Sequence, residues 1–521
     1  PRQQEDALVA PIRVVTVTGL VLAAIAAGAT TVFLLGQALA RHHGTGAVDQ
    51  RIEEALGMTR AERTIARVLP TGLGAVPCAA LAATAGLLAG HVQPVGGLRP
   101  FEPQPGYLPS IPLAVCGGLV LGGIFLLLSA AAAAAVHRQP HHSAGQRLVP
   151  TVPTRSAAVL AGVRLAYSRG RVGGFPFAPG TVGLAIGITT VVAALTFGAS
   201  LNRLVTTPER YGSLADVVVA DLKKPDLARL RADPRVAAFD QVLFGQVRLE
   251  DALIVASAFD PQVGFVGTTV IEGRLPAAPD QVALGPRLAE QLGLAVGDEL
   301  ALGDQGGGHT ARLRIVGLAT PQPQGDDERL GTVAVLHPDA LLGLAPTPPY
   351  RAAHVRAVPG FAEALAVDLE RDLEIQRRAQ PPEVQTLRDI RELPNVLALL
   401  LATGSAAVTV HGFRATWRRS TRQRALLRAL GFTAGQIRTA LAVMVGAVVV
   451  PALTLGVPLG LALARLAWWE VATASAVAGD AKVPGAALLA TVAVALVGAL
   501  AWAATPRRAD RMPIGRVLRA E

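Results

Sequence analysis

The sequence predicts a multi-pass α-helical membrane protein, with about seven transmembrane helices and an α/β extracytoplasmic domain inserted between helices four and five. Three observations predict it. Of 521 residues 51% are apolar and only 17% charged, with a mean hydropathy of +0.42. The apolar residues are gathered into long uncharged stretches at residues 14–40, 68–90, 111–136, 172–202, 393–413, 439–464 and 483–506. Between the fourth and fifth stretches lies one long charged segment. A helix needs roughly 20 residues to cross a ~30 Å hydrocarbon core, so each stretch is long enough. Seven such blocks exceed what the buried helices of a soluble core require.

Charge sets the orientation. Residues 203–392 hold 20 Lys and Arg against 27 Asp and Glu, a net of −7, in a chain whose net is +10. The remaining positive charge collects at 41–67, 138–171, 414–438 and 507–519, whereas the short loops at 91–110 and 465–482 hold only Arg99, Arg465 and Lys482. Short basic loops stay in the cytoplasm, which places the acidic segment outside. The basic balance therefore reads as membrane topology and not as nucleic-acid binding. Only three Lys accompany 45 Arg, a bias of base composition.

The chain predicts five regions: a first module at 1–136 with three helices, a basic cytoplasmic linker at 137–171, a helix at 172–202, the outer domain at 203–392, and a second three-helix module with a basic tail at 393–521. The modules share an ungapped internal repeat. Ala55, Leu56, Gly57, Thr59, Ala66, Pro77, Leu81, Gly86 and Leu87 recur 374 positions later as Ala429, Leu430, Gly431, Thr433, Ala440, Pro451, Leu455, Gly460 and Leu461. Two Gly, a Pro and a Thr in one register mark a duplication.

Each copy predicts an elbow, near 51–67 and near 418–438. An Arg-bearing amphipathic segment stops at Leu-Gly, where Gly can take the left-handed conformation that ends a helix. Thr59 with Glu62, and Thr433 with Gln436, then fit the S/T-x-x-E/Q capping box that starts the next helix. The expected pattern is a short cytoplasmic helix, a sharp bend and a membrane helix. Two copies in one register make Leu56, Gly57, Met58, Thr59, Glu62 and Arg63, with Leu430, Gly431, Phe432, Thr433, Gln436 and Arg438, the candidate docking residues.

In the outer segment, Asp216-Val-Val-Val-Ala, Ala311-Arg-Leu-Arg-Ile-Val-Gly and Gly331-Thr-Val-Ala-Val-Leu read as strands, and 286–294 and 362–371 as helices. The Gly-rich tract at 303–308 lies between strands and predicts a turn, without the strand-then-helix setting of a phosphate loop.

The repeated L-G-x-T elbow resembles the FtsX-like permeases, the class that includes the MacB and LolC/LolE-type ABC transporter subunits. The tail from Pro506 to Arg519 is similar to that family's closing segment. So, for its outer domain, are Gly273-Arg-Leu-Pro276, Gln281-Val-Ala-Leu-Gly285 and Leu292-Gly-Leu-Ala-Val-Gly-Asp298. The family unit is one helix, an outer domain and three helices. The second half fits it and the first half shows only the three helices, which together with the missing initial Met predicts truncation before Pro1.

The resemblance implies a permease subunit that works with a separate ABC ATPase. It implies movement or extraction of a lipid, lipoprotein, hydrophobic peptide or drug at the outer face. A regulatory membrane protein controlling an extracytoplasmic partner, such as a cell-wall enzyme, is the alternative. A second permease or an extracytoplasmic protein is a further candidate partner.

The chain is expected to have no enzymatic activity of its own. No Lys follows a Gly, so G-x-x-x-x-G-K-[ST] is missing, and ATP and Mg are expected on the partner. H-E-x-x-H, paired Cys and G-x-S-x-G are absent too. His42, His43, His137, His141 and His142 read as solvated linker. Cys78 and Cys116 lie in apolar stretches and imply no disulfide. None of the apolar stretches holds a deep ionisable residue, against an ion-coupled transporter. Spacings such as Gly118-x3-Gly122 and Gly456-x3-Gly460 suit close helix contacts, within the chain or between copies.

Overall fold

The computed structural model describes residues 49–89, 110–137, 156–167, 177–250, 252–306, 308–322, 330–345, 350–377, 381–419, 427–477, 479–489 and 491–493, with scattered positions between 24 and 43. Much of the stretch at 14–40, most of 483–506 and the tail beyond 506 lie outside the described residues. Among the described residues, three helices are long and apolar enough to cross a membrane: Ile111–Ala134, Thr181–Thr206 and Ala434–Thr473. The pair Arg60–Gly72 and Ala75–Leu88, bent by 41°, makes a fourth if it is one span, and Leu393–Ala406 is a shorter apolar helix.

The first module contains α1 (Asp49–Ala55), α2 (Arg60–Gly72), α3 (Ala75–Ala89) and α4 (Ile111–His137). Helices α3 and α4 approach through small residues. A Cβ on Gly118 would meet the Ala79 carbonyl oxygen at 2.5 Å, and one on Gly122 the Ala79 Cβ at 3.2 Å. Large apolar side chains such as Leu81, Leu113 and Leu119 point outward, as a lipid-facing surface requires.

A second bundle gathers α5 (Ala157–Tyr167) and α6 (Phe177–Thr206) with α12 (Leu393–Arg419) and α13 (Ala434–Ala474) of the second module. Gly456 and Gly460 of α13 seat directly on α6, where added Cβ atoms would lie 2.9 Å from the Ala185 oxygen and 2.7 Å from the Thr189 oxygen. Thr189 Oγ1 donates to the Gly456 carbonyl at 3.2 Å across that seam. Gly187 faces Ser405 of α12. The small-residue spacings at 118–122 and 456–460 therefore pack helices within the chain. Helix α5 falls inside the segment predicted as linker; its Gly162 would place a Cβ 2.4 Å from the Ala440 oxygen of α13.

Between α6 and α12 in chain order come ten strands. They are β1 (Val217–Val219), β2 (Val236–Leu249), β3 (Ala252–Val263), β4 (Thr269–Gly273), β5 (Gln281–Leu284), β6 (Glu299–Gly303), β7 (Thr310–Thr320), β8 (Ala334–Leu336), β9 (Tyr350–Ala357) and β10 (Ile375–Arg377). Five helices accompany them: α7 (Lys224–Ala232), α8 (Pro286–Leu292), α9 (Pro338–Leu344), α10 (Ala362–Glu370) and α11 (Pro382–Asp389). The strands and the helices predicted at 286–294 and 362–371 form where β-branched alternation and helical spacing placed them. The tract at 303–308 joins β6 to β7.

The strand order is β10-β1-β9-β2-β3-β8-β5-β7-β4, with β6 pairing both β2 and β7. That double pairing closes β2, β3, β8, β5, β7 and β6 into a ring, sealed where Arg248 opposes Gly303. Leu243, Val247, Ala256, Val282, Leu284, Leu302, Leu313, Ile315 and Leu336 fill it. The other lobe is antiparallel. There β10, β1, β9 and the start of β2 pair and bury Val219, Phe239 and Val355 against Leu230 of α7 and Leu365 of α10. Strand β2, at 14 residues, belongs to both lobes and ties them together.

Candidate functional site

The two predicted elbows form, and they form alike. In the first, the Gly57 N–H donates to the Glu54 carbonyl at 3.0 Å and the Met58 N–H to the Glu53 carbonyl at 3.1 Å. In the second, Gly431 donates to Arg428 at 3.0 Å and Phe432 to Leu427 at 3.0 Å. These are the paired bonds of a Schellman motif, which satisfies the last carbonyls of a helix and needs a left-handed residue. Gly57 has φ 81° and Gly431 φ 88°.

The next helix starts at once in both copies. Thr59 and Thr433 have extended backbones, φ −68° and −71°. The Glu62 N–H donates to Thr59 Oγ1 at 3.3 Å while the Thr59 N–H donates to Glu62 Oε2 at 2.7 Å. The Gln436 N–H donates to Thr433 Oγ1 at 3.2 Å, and the Thr433 N–H to Gln436 Oε1 at 2.9 Å. Both capping boxes are complete. The bonds from Thr59 hold the Glu62 carboxyl below its ordinary range, so it stays charged at neutral pH.

Each elbow lifts one leucine into the open: Leu56 and Leu430 are both 76% exposed. Gly57, Thr59, Glu62, Gly431, Thr433, Gln436 and Arg438 are exposed beside them, and Met58 and Phe432 half-buried. Arg63 behaves differently. It is buried, and its Nη1 donates to Glu54 Oε1 at 2.5 Å. Arg63 therefore braces the first elbow from inside, whereas Arg438 of the second faces outward.

A second constellation, which the sequence reading missed, joins the helix ends to the outer domain. Leu201, Leu204 and Val205 at the end of α6 bury with Tyr211, Leu330, Val384 and Leu387. Trp468, Val471 and Ala472 at the end of α13 complete the same cluster. Beyond α13, Asp480 accepts from Arg210, whose Nη1 lies 3.2 Å from Oδ2 and whose Nη2 also bonds Oδ1, and from Arg203 Nη1 at 2.9 Å. Arg210 Nη2 further donates to the Asp480 carbonyl at 3.1 Å. Two more bonds close the joint: the Lys482 N–H to Ser200 Oγ at 2.9 Å and Thr320 Oγ1 to the Ala476 carbonyl at 3.1 Å. Burial works to raise the Asp480 carboxyl, but the bonds and charge of Arg210 and the charge of Arg203 hold it below the ordinary range. The only advance signal was that Arg210 and Asp480 are charges next to predicted membrane segments.

Inside the outer domain, His354 packs against the rings of Phe244 and Phe259. Burial lowers its pKa to about 4, so it is neutral. Asp240 accepts from the N–H groups of Val266 and Gly267 and fixes the turn before β4. Desolvation raises its pKa. Among the described residues no group of three or more His, Cys, Asp and Glu could hold a metal ion.

Compared with known families, residues 181–372 match the MacB-like periplasmic core domain and residues 395–511 match the FtsX-like permease C-terminal domain. No curated protein matches the chain.

Proposed function

The chain belongs to the FtsX-like permeases of the MacB and LolC type, and from that premise we propose that it is the transport subunit of an ABC transporter whose ATPase is a separate polypeptide. The observation that carries this reading is the pair of elbows. Two segments 374 residues apart share the same stop, the same left-handed glycine, the same cap and the same exposed leucine. A surface feature repeated to that degree suits a partner that grips both.

In this proposal Leu56 and Leu430 enter apolar sockets on the ATPase, with Gly57, Thr59, Glu62, Gly431, Thr433, Gln436 and Arg438 at the rims. The ATPase binds ATP and Mg. The basic segments keep the elbows in the cytoplasm of a bacterial inner membrane crossed about seven times, and the α/β domain stands outside between helices four and five. A bound motor biases the permease only if it prefers one of its states. Helix α13 begins at the second elbow and ends in the joint beneath the outer domain, so a push at Thr433 reaches Trp468 through continuous helix. The cargo class is a lipid, lipoprotein, hydrophobic peptide or drug taken at the outer face. The same rod would equally drive an extracytoplasmic protein partner, the second reading, because the joint fixes the outer domain to the helix ends and not to a pore.

Affinity purification of the full chain from its native membranes tests this. A P-loop ATPase is expected to accompany it and to be lost from Leu56→Asp/Leu430→Asp. Retention of the ATPase by that variant, or ATP hydrolysis by the chain alone, refutes the reading. Vesicle reconstitution then separates cargo movement from activation of a protein partner.

A further inference from the structure

The elbows share a backbone but not the means of holding it. At the inner corner of the first stand Glu53, Glu54, Arg63 and Arg67. Their counterparts 374 positions on are Leu427, Arg428, Ile437 and Leu441. In the first elbow two ion pairs tie α1 to α2, Arg63 to Glu54 at 2.5 Å and Arg67 to Glu53 at 3.0 Å. Both guanidinium groups are nearly enclosed, with side chains 7% and 10% exposed. In the second elbow Ile437 and Leu441 are buried in an apolar cluster with Met444, Val445 and Val448, and Phe432 packs against it.

We infer that Glu53, Glu54, Arg63 and Arg67 are positioning residues that set the angle of the first elbow by charge, while the second elbow is set by apolar packing. The physical reason is the enclosure of the arginines. A guanidinium removed from water is tolerated only while its carboxylate stays beside it, so opening the bend strands a buried charge. Among the described residues Arg63 Nε has no hydrogen-bond partner, and the Glu54 bond compensates the buried charge. The clasp is also anchored in the membrane module: Thr71 Oγ1 donates to the Arg67 carbonyl at 3.2 Å and pairs with Ser129 Oγ of α4 at 2.8 Å, and Ser129 meets His43 Nε2 at 3.1 Å. The Thr71–Ser129 bond thus joins α2, and the clasp it carries, to α4. In the second elbow the counterparts of Glu53, Arg63 and Arg67 are the apolar Leu427, Ile437 and Leu441, and the packing of Ile437 and Leu441 in their cluster has no preferred direction.

The inference rests on the docking reading only for its use: a charge-held elbow presents Leu56 to the ATPase at one fixed angle. The angle itself is measured without any ATPase. In the full chain in nanodiscs, with Cys78 and Cys116 replaced by Ser, spin labels at Ala55→Cys and Ile65→Cys report the first elbow. Labels at Ala429→Cys and Thr439→Cys report the second at matched positions. Glu53→Gln/Glu54→Gln is expected to shift the first distance and roughly double the width of its distribution, leaving the second unchanged. The exchange Glu54→Arg/Arg63→Glu is expected to bring the first distance back towards the native value. An unaltered first distance on neutralisation, an equal change at both elbows, or a change that the exchange does not reverse overturns the inference. Loss of ATPase docking is read separately by co-purification, so the two proposals fail independently.

Discussion

Replacing Asp480 by Asn tests whether the joint between helix ends and outer domain is a coupling element. The substitution keeps the shape and removes the charge. Arg210 is enclosed, its side chain 10% exposed, whereas Asp480 is 59% exposed. A charge-assisted hydrogen bond contributes about 1.5–3 kcal/mol. Arg203 is itself partly exposed and adds little. Water reaches the freed carboxyl side but not much of the guanidinium, so the net loss is about 2 kcal/mol, which is roughly a 30-fold rise in the local opening equilibrium. The assay is amide hydrogen exchange in nanodiscs. The Ser475, Val477 and Lys482 N–H groups donate to Val471, Ala472 and Ser200, and all three are expected to exchange roughly 30-fold faster in the variant. Amides in β5 and β7, inside the six-stranded ring, are expected to keep their native rates. Equal acceleration in the ring would mean that the whole domain was destabilised. Native exchange at all three amides would mean that the ion pair holds nothing, and either result refutes the reasoning.

Three further outcomes are expected. Thr59→Ala and Thr433→Ala each remove a capping bond and are expected to cost about 1 kcal/mol locally, seen as faster exchange in the first turn of α2 or α13; Thr→Ser is expected to restore protection. Gly460→Leu drives a side chain into Val192 and the Thr189 carbonyl and is expected to destabilise the α6–α13 seam by about 1–3 kcal/mol, measured by thermal unfolding in detergent. His354 has its folded pKa lowered to about 4 from 6.5. The unfolded state therefore takes up the proton first, and stability is full above about pH 6.5 and falls as pH drops towards 4, by about 3 kcal/mol at most. Loss of sheet circular dichroism on acid titration is expected to move to lower pH in His354→Phe.

The elbows were legible because they rest on local chemistry. A Leu-Gly stop and a Thr-x-x-Glu or Thr-x-x-Gln start fix hydrogen bonds within five residues, and no distant contact is needed to read them. The strands at 217–219, 310–320 and 334–336 were legible from β-branched alternation for the same reason. The closure of the ring was not, since it depends on Arg248 meeting Gly303 across 55 positions. The Arg210–Asp480 pair spans 270 positions, and nothing local marks the two as partners. Arg63 stood out as an exposed docking charge because its sequence neighbours are polar; its burial follows from Glu54 on the preceding helix, beyond the bend. Helix α5 escaped notice because 11 residues within a basic segment do not suggest a packed element until Gly162 is seen against Ala440.

The length of α13 argues for transmission more directly than any single contact. Forty-one residues make a helix about 61 Å long at 1.5 Å per residue, twice the ~30 Å that a hydrocarbon core requires. A helix whose task was only to cross would end near its twentieth residue. This one carries Pro451 and Pro458 inside, each of which removes a backbone bond and favours a kink, yet it continues through both. The seam of Gly456 and Gly460 against α6 lies beside those prolines and supports the helix where its own hydrogen bonding is weakest. Beyond the seam Leu463, Leu466 and Trp469 stay exposed on one face, while Trp468, Val471 and Ala472 on another are buried with Tyr211, Leu330 and Val384. In the proposed transporter, a strut braced at its weak point, capped at one end and bonded into a folded domain at the other would move both ends together. Extra length that only increased lipid contact would have no reason to bury one face of its last turns in that cluster.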